Sequence, residues 1–245
     1  DFFEEIAKYR AARRIWAQVM KEKFDAKSDR SLKLRFHTQT AGFSLTAQQP
    51  QNNISRTAFQ ALAAVLGGTQ SLHTNSMDET LCLPSQEAAE IALRTQQLIG
   101  FETGVTNVVD PLGGSWYVEE LTNKMEKEAY KYFSKIDELG GVIPAIEMGY
   151  FQREIAEAAS DYQRRVDSKR RVVVGVNEFT KNDEEIDIPI LEIRKEVQNE
   201  QIEGLKLLRG KRNNKVVISK LRAITDASRT KENLIPLIID AAQAH

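Results

Sequence analysis

The sequence predicts an α/β fold in which short strands alternate with helices, followed by an all-helical tail. Three observations carry this. Helical periodicity opens the chain, with Phe2, Ile6, Tyr9, Trp16 and Met20 on one face. Short apolar or β-branched runs then recur about every 35 residues, each followed by an amphipathic stretch. Beyond an acidic, polar stretch at residues 180–190, only helical patterns remain.

The elements follow in order. Residues 33–38 (KLRFHT) read as a first strand, and residues 53–66 as a helix stopped by Gly67 and Gly68. Residues 69–74 (TQSLHT) read as a second strand. Residues 85–101 form the next helix, with Pro84 and Ser85 at its start. Residues 106–109 (TNVV) read as a third strand, ended by Asp110-Pro111 and Gly113-Gly114. Ser115 caps a long helix that closes at Gly140-Gly141. Residues 144–170 hold one or two further helices, and residues 172–176 an extra strand. The tail comprises helices at about 191–209, 213–227 and 231–243, with Thr230 capping the last. The expected organisation is therefore residues 1–140 as about half of a (β/α)8 barrel, 141–179 packed on it, a linker at 180–190, and a helical tail at 191–245. A complete barrel needs roughly 250 residues, so this part cannot close alone. The chain opens without Met and directly in helical periodicity, which predicts a piece of a longer protein.

Composition narrows the function. With 34 basic and 35 acidic residues, the net charge of −1 argues against nucleic acid or anionic lipid as partner. No apolar run is long enough to span a bilayer. One cysteine, Cys82, excludes a disulfide framework, and three histidines build no His-rich metal site, so no metal ligand is assigned. A reducing, cytoplasmic compartment is expected. No glycine-rich phosphate loop is present. Arg13 and Arg14 read as solvated or ion-paired, and the basic run 169–171 as a solvated helix end.

Two polar clusters crowd the C-terminal ends of the first two strands: FHTQTAG at 36–42 and TQSLHTNSMDE at 69–79. Active sites of (β/α)8 barrels gather at that end. Strand alternation puts His37 with Gln39 on one face of the first strand, and likewise Ser71 with His73 and Asn75 on one face of the second. Neutral hydrogen-bonding groups of this kind suit holding a large polar cofactor better than hydrolysis. The plainer alternative is that a strand-end histidine only satisfies local hydrogen bonds, and that Cys82 is a small buried hydrophobe.

At these residues the sequence resembles the large subunit of methylmalonyl-CoA mutase and its acyl-CoA mutase relatives. The stretches DFFEEIAKYRAARRIWA, FHTQTAGFSLTAQQPQNNISRTAFQALAAVLGGTQSLHTNSMDE and TNVVDPLGGSWYVEELT carry the resemblance, which runs over essentially the whole chain. It implies the C-terminal half of a substrate-binding TIM barrel, helix five to helix eight, followed by the helical tail. It implies a radical 1,2-rearrangement of an acyl-CoA, with adenosylcobalamin as cofactor and methylmalonyl-CoA to succinyl-CoA as the first-choice reaction. Isobutyryl-CoA, 2-hydroxyisobutyryl-CoA and ethylmalonyl-CoA are alternative substrates, and a non-catalytic assembly homologue is the alternative role.

Carried over residue by residue, Gly42 matches a position against the corrin. Glu79 matches the carboxylate that reaches the adenosyl ribose or corrin edge. Cys82 falls at a cobalamin-contact position where relatives often have Ala or Gly. His37 and Gln39 match groups between substrate and adenosyl, and Ser71 a residue near the CoA. No Asp-x-His-x-x-Gly cobalt-ligand motif occurs here. The resemblance therefore implies a separate cobalamin-binding subunit or domain as partner, in a hetero-oligomer or homodimer of the complete enzyme, with this piece inactive alone.

Overall fold

A computed structural model describes residues 1–182 and 188–245; the acidic middle of the expected linker, 183–187, lies outside the described residues. The chain divides into two units, Asp1–Leu191 and Glu192–His245.

The first unit is built on α1 (Phe2–Glu22), which buries Ile6, Ala7 and Ala11. Two parallel strands follow, β1 (His37–Gln39) and β2 (Ser71–His73), in register His37↔Ser71, Thr38↔Leu72 and Gln39↔His73. Between them runs α2 (Asn52–Leu66), closed by Gly67 and by Gly68 at φ 83°, a conformation that favours glycine. A parallel pair needs such a crossover. Helix α3 (Gln86–Phe101) starts where the Ser85 hydroxyl accepts the Ala88 N–H at 3.2 Å. Both strands are shorter than the sequence suggested, and β1 begins at His37, four residues later than the expected start.

The third strand does not form. Gly104, at φ 73°, leads into a 3-10 turn over Val105–Asn107, and Asp110 has φ 47°. Positive φ at both ends breaks the extended run. Val108 and Val109 are 57% and 97% exposed. Among the described residues the sheet therefore has two strands.

Helix α4 (Trp116–Glu138) packs along α1 as the most extensive helix pair of the unit. Ile6, Ala63 and Val118 form the centre of this packing, with Phe2, Leu66 and Leu112 around them. Arg10, almost buried, pairs with both Asp110 and Glu119. Ser115 occupies the N-cap of α4 without a side-chain capping bond; the Glu119 carboxylate takes the Gly114 N–H at 3.0 Å instead.

Arg14 pairs with Glu126 at 2.8 Å, as the sequence reading expected. Arg13 departs from that reading. It is half-buried and donates to the Gly67 carbonyl at the C-terminal end of α2, where a cation complements the helix dipole. Burial, and then the neighbouring Arg10, push its pKa down.

Gly149, at φ 69°, splits the next stretch into α5 (Val142–Glu147) and α6 (Tyr150–Asp167). The strand expected at 172–176 is a tight loop. The Asn177 side chain accepts the Val173 N–H at 2.7 Å and donates to the carbonyls of Val166 and Arg171 at 2.8 Å each. These local bonds compete with extended pairing, leaving one isolated bridge, Val174↔Glu178. In the basic run, Lys169 pairs with Glu178, and Arg171 lies over the Tyr162 ring.

The second unit holds α7 (Lys195–Lys211), α8 (Asn214–Ala227) and α9 (Leu234–Gln243). Helices α8 and α9 pack together, joined by Lys220–Asp240 at 2.6 Å. Asn233, not Thr230, caps α9 through the Ile235 N–H at 3.0 Å. The Thr230 hydroxyl donates to the Ala227 carbonyl at the end of α8. No helix among the described residues is long and apolar enough to cross a membrane.

Candidate functional site

Alternation along β1 and β2 sorts their side chains. Thr38 is buried, whereas His37, Gln39, Ser71 and His73 are exposed on the other face. Parallel register brings them into pairs. His37 Nδ1 and Ser71 Oγ lie 2.7 Å apart, and Gln39 Nε2 donates to Asn75 Oδ1 at 3.2 Å. The expected polar face is therefore continuous across both strands.

The pairing continues past the strand ends. Thr40 N–H donates to the His73 carbonyl at 3.1 Å, and the Asn75 N–H to Thr40 Oγ1 at 2.9 Å. The two loops beyond are thereby held side by side. The first enters a 3-10 turn at Gly42–Ser44. The second carries Asn75, Asp78 and Glu79. Asp78, fully buried, accepts the Ser85 N–H at 2.8 Å and ties this loop to the start of α3.

Gly42 meets Glu79 across the two loops. A Cβ on Gly42 would lie 2.5 Å from Glu79 Oε1 and 3.1 Å from Asn75 Nδ2. Glycine here leaves space for the Glu79 carboxylate and does not serve a special backbone conformation, since Gly42 is not among the positive-φ residues. Asn75 is 2% exposed, and its Nδ2 has no hydrogen-bond partner among the described residues. An orphaned buried amide is costly unless a ligand or water takes it.

A cavity of about 530 Å³ opens beside these groups, lined by Gln39, His73, Ser76, Glu79 and Cys82 together with α3. Cys82 is half-buried on its wall and not the buried hydrophobe of the plainer alternative. A second cavity of about 380 Å³ lies on the other side of Gln39, beside Tyr9, Thr40 and Phe43. Of the six residues singled out from sequence, Gln39, Glu79 and Cys82 share one cavity and Gly42 touches Glu79. The His37–Ser71 pair sits at the opposite end of the strands. Among the described residues no three His, Cys, Asp or Glu side chains are grouped to hold a metal ion.

Sequence reasoning missed the support beneath this site. Asn53, Arg56, Thr57 and Gln60 on α2 all bond into the two loops or to residues that do. Their signal was present, since they fall at the i, i+3, i+4 and i+7 spacing of one helix face. Polar residues on the inward face of a crossover helix are what stood out of pattern. Burial pushes the Arg56 pKa down.

Residues 1–245 match the family described as methylmalonyl-CoA mutase. The chain is 44% identical over 245 residues to the 2-hydroxyisobutanoyl-CoA mutase large subunit of Aquincola tertiaricarbonis, covering 100% of this chain and 44% of that protein. It is 45% identical over 244 residues to the methylmalonyl-CoA mutase of Escherichia coli (strain K12), covering 99% of this chain and 34% of that one. It is 44% identical over 246 residues to the mitochondrial methylmalonyl-CoA mutase of Homo sapiens, covering 100% and 33%. The chain thus spans less than half the length of these curated relatives.

Proposed function

The chain belongs to the methylmalonyl-CoA mutase family, and from that membership we propose that it is part of an adenosylcobalamin-dependent acyl-CoA mutase, an isomerase. The first-choice reaction is interconversion of (R)-methylmalonyl-CoA and succinyl-CoA. The name of the Aquincola tertiaricarbonis relative specifies 2-hydroxyisobutanoyl-CoA instead, so that substrate, isobutyryl-CoA and ethylmalonyl-CoA are the alternatives. The observation that carries the reading is the convergence of Gly42, Glu79 and Asn75 at the strand ends.

The residues fit the cofactor. The bare Cα at Gly42 lets the Glu79 carboxylate and the Asn75 amide lie close against the backbone, gathering the polar groups that a flat ring beside this loop would meet. The Asn75 amide is buried and awaits a partner. The donor set around it is amide and hydroxyl, suited to a polar, largely neutral macrocycle. Adenosylcobalamin, when bound, supplies the carbon radical that begins the rearrangement.

The chain's own residues bind and orient. Gly42 lies against the corrin. Glu79 accepts a hydrogen bond from an adenosyl ribose hydroxyl or the corrin edge. Cys82 lines the same wall, its small side chain leaving the cavity open. Gln39, held by Asn75, reaches between adenosyl and substrate, and the Ser71 contact fixes the His37 ring on the same face. Ser71 stands nearest the CoA. Excluding water from this face protects a reactive carbon centre from side reactions.

In this reading β1 and β2 are two strands of a (β/α)8 barrel, in its C-terminal half. Residues 141–179 pack on it, 180–190 link, and 191–245 form the tail. The partner is a cobalamin-binding subunit or domain docked over the strand ends, in a hetero-oligomer or homodimer. The single cysteine suits a reducing cytoplasm. This piece is inactive by itself.

The test is turnover of the complete enzyme, reconstituted with its cobalamin-binding part. Each of the four acyl-CoA thioesters is supplied with and without adenosylcobalamin. Cofactor-dependent isomerisation of one supports the reading, and none with any of them refutes it.

A further inference from the structure

Helix α2 turns a polar stripe toward the two loops that carry Gly42 and Glu79. Gln60 holds the first loop: its Oε1 accepts the Ala41 N–H and its Nε2 donates to Ser44 Oγ, both at 2.6 Å. Thr57 donates to the Asn75 carbonyl in the second loop at 3.4 Å. Asn53 joins the two. Its Nδ2 donates to the Thr46 carbonyl and to the Met77 carbonyl, each at 2.9 Å. Its Oδ1 accepts the Thr46 N–H at 3.1 Å and Arg56 Nη1 at 2.8 Å.

Asn53 is fully buried. A buried amide is tolerated only when its donors and acceptor are all used, and here all four bonds are made. Three of them go to loop backbone and none to the backbone of α2. The amide therefore does little for the helix that carries it. It ties the chain four residues after Gly42 to the chain two residues before Glu79.

We infer that Asn53 is a positioning residue of the cofactor site, whose side-chain amide sets the separation between Gly42 and Glu79. Arg56 backs it, through Thr46 Oγ1 at 2.8 Å and the Val174 carbonyl at 2.7 Å. The inference rests on the proposed role of Glu79. It adds that the carboxylate's placement is fixed from α2 and not from its own loop alone.

The experiment uses the complete enzyme with its cobalamin-binding part. Adenosylcobalamin is titrated by visible absorption, turnover is measured, and thermal unfolding is followed for each variant. Asn53→Asp keeps the shape and the acceptor but sets a second oxygen against the carbonyls of Thr46 and Met77. It should raise the adenosylcobalamin Kd and lower kcat by roughly tenfold each, with acyl-CoA KM unchanged.

In a Glu79→Gln background the same substitution should change Kd by less than about threefold, because its effect passes through Glu79. The full tenfold in both backgrounds overturns the inference. So does a lowered melting temperature with Kd and kcat intact. Gln60→Met loosens the same junction from the Gly42 side and serves if Asn53→Asp fails to fold; it should raise Kd in the same direction, and an unchanged Kd would overturn the inference. If Glu79→Gln alone leaves both Kd and kcat untouched, the proposed role of Glu79 falls, and the inference falls with it.

Discussion

Replacing Gly42 by alanine separates a cofactor role from a folding role with one methyl group. The added Cβ would sit 2.5 Å from Glu79 Oε1, and ordinary contact begins at 3.4 Å, so the carboxylate must retreat by about 0.9 Å. Glu79 is exposed and its carboxylate is the end of a flexible side chain, so its retreat costs the fold little; the buried Asn75 amide, 3.1 Å from the same Cβ, must give by about 0.3 Å. The backbone of Gly42 needs no left-handed conformation. Alanine at such a position restricts the unfolded chain and stabilises by about 0.4–1 kcal/mol. That gain is set against the small displacement of Asn75, so the melting temperature should change little.

Cofactor binding should suffer instead. A charge-assisted hydrogen bond is worth about 1.5–3 kcal/mol, and a shift near 1 Å removes most of it. At about 1.4 kcal/mol per decade, adenosylcobalamin should bind the complete enzyme roughly ten- to a hundredfold more weakly. Visible absorption titration beside differential scanning calorimetry reads both quantities. A depressed melt with unchanged affinity would refute this reasoning and make Gly42 a structural residue only.

Other outcomes follow from the same geometry. Glu79→Gln should lower kcat by roughly ten- to a hundredfold, if its bond is made mainly after the cofactor's carbon bond opens, with acyl-CoA KM little changed. Gln39→Ala should act in the same direction but more weakly, since a neutral amide is lost; steady-state kinetics would check both. Arg10→Gln removes the partner of Asp110 and Glu119 from a nearly buried position, and should cost about 1–3 kcal/mol in chemical denaturation, between the values for exposed and buried pairs. The Tyr132 hydroxyl donates to Glu154 at 3.2 Å, and this hydrogen bond, followed by the carboxylate's charge, raises its pKa above 10.0. Its contribution to stability is present at neutral pH and is lost as pH rises through the raised value. Ultraviolet difference titration should show Glu154→Gln returning the phenol toward its ordinary range.

The site was more legible in the sequence than the fold around it. His37, Gln39, Ser71 and His73 share a face because period-two alternation needs no tertiary knowledge once the strands are placed. Gly42 and Glu79 came from the resemblance, and no periodicity could have shown that two loops 37 positions apart touch. The run TNVV at 106–109 has strand composition, yet Gly104 and Asp110 turn the chain out of the extended region, and only backbone geometry reveals that. The run at 172–176 fails for a different reason. Asn177 satisfies its backbone locally, which β-propensity does not register. Thr230 and Asn233 are both competent caps by type, and the hydroxyl of Thr230 is spent on α8. Asn53 stands on a polar face of α2 that the helical spacing displays, but three of its four bonds go to the backbone of Thr46 and Met77, and backbone partners carry no sequence signal.

The central claim is that the strand-end surface formed by Gly42, Asn75 and Glu79 holds adenosylcobalamin. The most direct measurement is a crystal structure of the complete enzyme with the cofactor bound. The account predicts the corrin against Gly42, the Asn75 amide partnered, and a Glu79 carboxylate oxygen within about 3.2 Å of the adenosyl ribose or the corrin edge. A cofactor bound elsewhere, with Glu79 in solvent and the Asn75 amide still unpartnered, would contradict it.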